Sequence, residues 1–120
     1  KLALLELSEF NLYQIDHEIR QNFPDLDVAP ILADIRDRAL INRIFEEQTP
    51  ELVFHAAALK HVPLVEMNPC AGVATNLIGT RNVADAARKA RARAMVQVST
   101  DKAVNPVGMM GATKRLGELY

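Results

Sequence analysis

The residues best equipped for chemistry stand in two nearby stretches, Val98-Ser-Thr-Asp-Lys-Ala-Val-Asn-Pro106 and Met109-Met-Gly-Ala-Thr-Lys-Arg115. A hydroxyl, a carboxyl and an amine follow one another at Thr100, Asp101 and Lys102, and a second amine stands at Lys114. Groups of these types pass protons when the protein tunes them toward the working pH. Taken alone, Asp101-Lys102 reads first as a solvated surface pair of the kind common in loops, and only its neighbours Thr100 and Met110-x-x-x-Lys114 turn the reading toward catalysis. His17, His55 and His61 do not form a ligand set, and His55 closes an apolar strand and reads as a packed histidine. No Cys/His cluster has zinc spacing, so no metal site is expected. Cys70 is the only cysteine, which rules out an internal disulfide and fits a reducing, cytoplasmic compartment.

The elements that must position these groups alternate. Lys1–Leu7 is a short apolar run of strand length, and Ser8 is placed to cap a helix over Glu9–Asn22 with Leu12, Ile15 and Ile19 on one face. Phe23-Pro24-Asp25 ends it. A strand over Val28–Ala33 stops at Asp34, and a helix over Arg38–Glu47 carries Leu40, Ile41, Ile44 and Phe45 as its apolar positions. Thr49-Pro50 turns the chain into a strand, Leu52–Ala56. A loop containing Pro63 follows, and Asn68-Pro69 then starts a helix from about Cys70 to Ala90. Ala94–Ser99 is the fourth strand, and a loop with Pro106 and Gly108 leads into a last helix from about Met110.

Strands alternating with helices of this length predict right-handed crossovers and a parallel sheet. Ligands bind at the carboxyl ends of such strands. That rule collects Glu6, Asp34, the segment after His55 and the segment after Ser99 on one rim. A dinucleotide-binding sheet normally opens with a Gly-rich turn whose amides hold the pyrophosphate. With five glycines and none after the first strand, no such turn occurs here. The expectation is therefore a partial Rossmann-type, doubly wound α/β domain over residues 1–120, truncated at both ends. It lacks the first strand and its phosphate loop, so Lys1–Leu7 would be the second strand. The acidic residue closing that strand usually binds the adenosine ribose. Glu6 has that place, with Glu9 close enough to compete.

The order and spacing of the two catalytic stretches, together with Ser8-Glu-Phe-Asn-Leu-Tyr-Gln-Ile15, His55-Ala-Ala-Ala-Leu-Lys-His-Val-Pro63 and Asn76-Leu-Ile-Gly-Thr-Arg-Asn82, resembles the extended short-chain dehydrogenase/reductase superfamily. Within it, the chain is similar to the CapD-like UDP-N-acetylhexosamine 4,6-dehydratases of polysaccharide biosynthesis. The resemblance implies an NAD or NADP cofactor. It places Asp34 and Ile35 at the adenine, and Ala56, Ala57 and Ala58 in the small-residue turn beside the dinucleotide. Lys60 falls near the cofactor or sugar, and Asn76 on a helix that supports the site. Thr100 matches the catalytic hydroxyl, Asp101 and Lys102 the dehydratase acid/base pair, and Lys114 the lysine of the nicotinamide ribose. Met110 departs from the pattern, because the superfamily carries tyrosine four residues before that lysine. A thioether cannot accept a proton from a sugar hydroxyl. Large membrane-anchored dehydratases of this group share the methionine, so the departure narrows the subgroup.

The implied reaction is redox-neutral. C4 of the sugar is oxidised, the C5 proton becomes acidic, water leaves from C6, and the hydride returns there. Lys102 is expected to take the C5 proton, made neutral by proximity to Lys114 or by desolvation. Asp101 is expected to protonate the leaving C6 hydroxyl, which asks for a raised pKa, and is also the candidate base for the C4 hydroxyl. Two other readings are kept. One is a nucleotide-sugar 4- or 5-epimerase of the same superfamily, which needs no acid at C6. The other is a non-catalytic, dinucleotide-sensing Rossmann protein. The isolated 120-residue piece is expected to be inactive.

Composition closes off other classes. With 49% apolar residues the chain can form a core, and with 14 basic and 15 acidic residues it presents no broad field for nucleic acid. The basic run Arg88, Lys89, Arg91 and Arg93 suits the negative end of a helix dipole. No apolar run nears the roughly 20 residues that span a bilayer. The expected partner is a nucleotide-sugar substrate, without nucleic acid or membrane contact from this segment. The full-length enzyme is expected to be a homo-oligomer, cytoplasmic or anchored at the cytoplasmic face of the inner membrane.

Overall fold

Ser8 caps the first helix as its sequence position requires. Its backbone is extended, and its hydroxyl accepts from the amide of Asn11. The computed structural model describes residues 1–120. Contacts divide them into two compact units, Lys1–Asp34 and Ile35–Tyr120.

In the first unit, strand β1 (Leu2–Glu6) pairs in parallel with β2 (Val28–Leu32), and helix α1 (Glu9–Asn22) packs on both. Glu6 lies opposite Leu32, so both strands leave the ladder at the same edge. Leu12, Val28 and Ala33 are buried. Ile15, expected on the inner face with Leu12, is exposed. With a two-stranded ladder beneath it, α1 covers only one turn of apolar positions.

The second unit contains α2 (Arg38–Gln48), β3 (Leu52–His55), α3 (Val62–Met67), α4 (Pro69–Gly72), a π-helical stretch (Val73–Gly79), α5 (Thr80–Lys89), β4 (Ala94–Gln97), a 3-10 turn (Asp101–Ala103) and α6 (Met109–Leu119). β3 and β4 are parallel, with His55 opposite Gln97. The expected parallel pairing is therefore present in both units. Phe54 and Val96, paired in register, are exposed.

Three expectations need correction. The segment with Pro63 is a helix, not a loop. Pro63 falls in its first turn, where an amide has no intrahelical partner to lose. Asn68 does stand at the N-cap position of α4, but its side chain makes no capping bond there. It turns back and donates to the carbonyl of Leu64 within α3. The helix expected over 70–90 runs from Pro69 to Lys89 with right-handed helical backbone at its junctions, yet its middle is π-helical. Such wide turns change which side chains share a face and recur at functional sites.

The second core is Ile35, Ile41, Ile44, Phe45, Val65, Val83, Ala86, Ala87, Ala103 and Met110. Gly79 admits Ile35 to it: a Cβ there would stand 2.5 Å from the Ile35 Cδ1. Buried Asp85 ties three elements together, accepting from Arg88 at 2.9 Å, Arg38 at 3.4 Å and the Tyr120 hydroxyl at 2.8 Å. The Tyr120 bond and the arginines hold its carboxyl below the usual range. Arg88 and Lys89 stand in the last turn of α5, where a cation meets the negative end of the dipole as expected, and Arg88 also pairs with Asp85.

Candidate functional site

Because β3 and β4 are parallel and in register at His55 and Gln97, the segments Ala56–Ala58 and Val98–Asp101 leave the same edge of the ladder. Ala56 and Ala57 are exposed and Ala58 is half-buried, so the small-residue turn presents open backbone. The turn is held from behind. Asn76, in the π-helical stretch, is fully buried, and its Oδ1 accepts from the Leu59 amide at 2.8 Å. Its Nδ2 donates to the Leu59 carbonyl and to the Thr113 Oγ1, both at 3.0 Å. Thr113 in turn donates to the Met110 carbonyl at 2.8 Å. Asn76 therefore joins the turn after β3 to α6. With both amide protons engaged and no exposed surface, it acts on a ligand only through these neighbours, not by direct contact.

His55 is the packed histidine the sequence suggests. Its Nε2 lies 2.9 Å from the Thr80 Oγ1. Burial, and then the nearby Lys114 ammonium, lower its pKa to about 4. The unfolded chain protonates near pH 6.5, so lowering the pH from 6.5 toward 4 places protons on the unfolded state first. Stability is full above the unfolded value and falls through that window, by up to about 3 kcal/mol at roughly 1.4 kcal/mol per pH unit. A pH series of urea midpoints should show this loss in the wild type and a flatter profile in His55→Gln. Parallel profiles would mean His55 titrates normally.

Lys114 is buried on α6, and its Nζ donates to the Val98 carbonyl at 2.9 Å. Desolvation lowers its pKa, with Glu118 acting in the opposite direction. One ammonium proton is engaged, which leaves two for a ligand at the carboxyl end of β4. At Thr100 the hydroxyl donates to the Asp101 Oδ1 at 3.0 Å, and the Lys102 Nζ reaches the same oxygen at 3.3 Å. These groups hold the Asp101 carboxyl below its usual range, the Thr100 bond foremost. The raised pKa expected of an acid at Asp101 is thus reversed, because both neighbours stabilise the carboxylate. Lys102 is 56% exposed and faces Asp101, while Lys114 turns to Val98.

The backbone of Lys102 packs against α6 at Gly111, where a Cβ would fall well inside contact distance of the Lys102 carbonyl oxygen and 3.3 Å from the Pro106 Cβ. Alanine in a helix interior ordinarily gains about 1 kcal/mol over glycine. Here the clash is with backbone, and overpacking of that kind costs roughly 1–3 kcal/mol. Gly111→Ala is therefore expected to lower the urea midpoint despite its better helix propensity. A raised midpoint would show that the 100–103 turn yields freely.

Met110 is buried, and its amide donates to the Glu66 Oε1 at 3.2 Å. Lys102, Met110, Gly108 and Glu66 line one cleft. Glu66 was not legible in the sequence, since the helix that carries it was read as loop. Ile35 is buried against Gly79, and its carbonyl accepts from Asn82 at 3.0 Å, so its side chain belongs to the core and its carbonyl is held within the protein. Lys60 is exposed. In the first unit the Glu6 Oε1 accepts from the amides of Leu7 and Ser8 at 3.0 and 2.9 Å, and Asp34 follows β2 at the same ladder edge. No group of three or more His, Cys, Asp or Glu residues is arranged to hold a metal ion.

The sequence profile of the polysaccharide biosynthesis protein family matches residues 1–120. The chain belongs to that family. A relative within reach is the capsular polysaccharide biosynthesis protein CapD of Staphylococcus aureus, 41% identical over 120 residues, or 99% of this chain and 20% of that protein. A UDP-N-acetylglucosamine 4,6-dehydratase (inverting) of Campylobacter jejuni is 41% identical over 83 residues, 69% of this chain and 24% of its own length. A UDP-glucose 4-epimerase of Rickettsia canadensis is 50% identical over 68 residues, 57% of this chain and 20% of its own length. Among solved structures, Pen from Bacillus thuringiensis superposes with a TM-score of 0.85 at 31% identity, covering 98% of this chain and 35% of that one. The family's α/β fold, with parallel strands and flanking helices, is of Rossmann type. The chain spans a fifth to a third of the length of the curated relatives it matches. None of its helices is long and apolar enough to cross a membrane.

Proposed function

We propose that this segment carries the catalytic residues of an NAD(P)-dependent nucleotide-sugar 4,6-dehydratase acting on a UDP-N-acetylhexosamine in the synthesis of surface polysaccharide. The observation that carries the reading is the arrangement at Asp101, where the Thr100 hydroxyl and the Lys102 ammonium converge on one carboxylate oxygen.

The residues present fit a nicotinamide dinucleotide. Exposed alanines at 56 and 57 allow close approach to backbone, and Lys114 has ammonium protons free beside the end of β4. In the second unit the backbone amide of Ile35, the Ala56–Ala58 turn and Lys114 would hold the cofactor, with Lys60 beside it. In the first unit Glu6 and Asp34 stand at the end of their own ladder as candidates for the adenosine part. When bound, the cofactor supplies hydride acceptance and return. The chain's own groups handle the protons. Ionised Asp101 is suited to take the C4 hydroxyl proton, the task tyrosine would perform where Met110 stands. Having taken it, the same carboxyl can deliver it to the departing C6 hydroxyl, so its low pKa serves the first half of the cycle. Once Asp101 has taken the C4 hydroxyl proton it no longer stabilises the Lys102 ammonium, and that 56% exposed group can shed a proton to solvent. The neutral amine then takes the C5 proton and returns it to C5 when hydride adds at C6, while Thr100 orients the carboxylate.

The 4-epimerase reading is favoured by the Rickettsia relative. It leaves Lys102 without a task, because a 4-epimerase neither removes a C5 proton nor expels water. The full-length enzyme, incubated with UDP-N-acetylglucosamine, should yield a 4-keto-6-deoxy product lighter by one water. A product of unchanged mass with inverted C4 would establish the epimerase instead.

A further inference from the structure

We propose that Glu66 is a positioning residue for the catalytic segment, capping helix α6 from α3 and so fixing the turn that runs from Met110 to Lys114. The first amides of a helix need partners from outside it. The N-cap of α6 is Gly108, which has no side chain to offer and makes no capping bond. The Glu66 Oε1 fills that place by accepting from the Met110 amide at 3.2 Å. Gly108 leaves room for it: a Cβ there would stand 2.5 Å from the same oxygen. A carboxylate at the start of an 11-residue helix also meets the positive end of its dipole.

The consequence reaches the site in two ways. Met110 and Lys114 lie one turn apart on α6, so the cap sets where the buried lysine meets the Val98 carbonyl. Glu66 and Lys102 line the same cleft, so the cap also borders the space beside the catalytic amine. Glu66 acts through the Met110 amide and needs only an acceptor oxygen, not a proton.

The kinetic arm of the test rests on the dehydratase reading, and the exchange arm does not. In the full-length enzyme, Glu66→Ala should lower kcat by roughly tenfold or more, since small misplacements of reacting groups are costly. The KM for UDP-N-acetylglucosamine should stay within about threefold, because ground-state binding is untouched. Glu66→Gln should restore kcat to within about threefold with an unshifted pH profile, because its amide oxygen accepts the same bond. Amide exchange read by mass spectrometry should quicken over Met110–Lys114 in Glu66→Ala and return to the wild-type rate in Glu66→Gln. Exchange unchanged in Glu66→Ala overturns the proposal. So does a Glu66→Gln enzyme as inactive as Glu66→Ala, which would make the carboxylate a proton carrier. Wild-type enzyme inert toward the sugar, with the exchange pattern as expected, would strike only the dehydratase reading.

Discussion

Lys102→Ala in the full-length enzyme should stop elimination while leaving the first oxidation in place. Lys102 is assigned to the C5 proton, which becomes acidic only once C4 is a ketone. The amine is 56% exposed and stands 3.3 Å from the Asp101 Oδ1, so its removal opens no core cavity and disturbs no buried partner. The loss should therefore be chemical, about 10²–10⁴-fold in turnover, as for other general bases. Exchange of the C5 position with solvent deuterium reports the step directly and should fall with turnover, while a 4-keto sugar accumulates on the enzyme. Asp101→Asn should differ, because that carboxylate is assigned to both the C4 hydroxyl and the departing water, and neither product nor keto sugar should form. If Lys102→Ala exchanges the C5 proton at the wild-type rate, the amine has another task.

Asn76→Ala should be the most destabilising single change in the site. Three hydrogen bonds meet on that amide, and the side chain has no exposed surface. Truncation removes the partner of the part-buried Leu59 amide and carbonyl and of the buried Thr113 hydroxyl oxygen, and leaving a buried polar group unsatisfied costs about 1–3 kcal/mol. A cavity adds to this, so the loss should be on the order of 3–5 kcal/mol. Asn76→Asp is the sharper variant because it keeps the shape. One oxygen still accepts from Leu59, but the other faces the Leu59 carbonyl and the Thr113 oxygen, which need a donor. A buried carboxylate without a cation is expensive as well. Both variants should lower the urea midpoint strongly, and Asp should gain little over Ala. If Asn76→Asp matched the wild type, the orientation of the amide, and with it the link between the turn after β3 and α6, would be wrong.

Alternation of strand and helix was legible because local rules fix it. Ser8 caps α1 and the apolar spacing of Ile41, Ile44 and Phe45 buries the inner face of α2. The parallel pairing of β3 with β4 follows from the length of the crossover between them. The grouping of Ala56–Ala58 with Thr100–Lys102 then follows from the rule that parallel strands end at one edge. The motif spacing from Thr100 to Lys114, with Met110 inside it, carried the family.

Tertiary structure decided what no spacing encodes. Pro63 reads as a breaker until its place in the first turn of α3 is known, and Asn68 reads as a cap until its side-chain amide is seen donating to the Leu64 carbonyl instead of accepting from a helix amide. The π-helical stretch turns Asn76 toward partners 17 and 37 residues away, and its three bonds exist only in the folded chain. Charge states were settled in the same way. The sequence lists an acid beside a base, but only the shared oxygen at Asp101 makes that carboxyl a stabilised anion. Burial lowers the pKa of Lys114 and Glu118 opposes it, a balance that exists only in the folded chain. A pKa depends on distance and desolvation, and both are properties of contacts between segments that the order of residues leaves open.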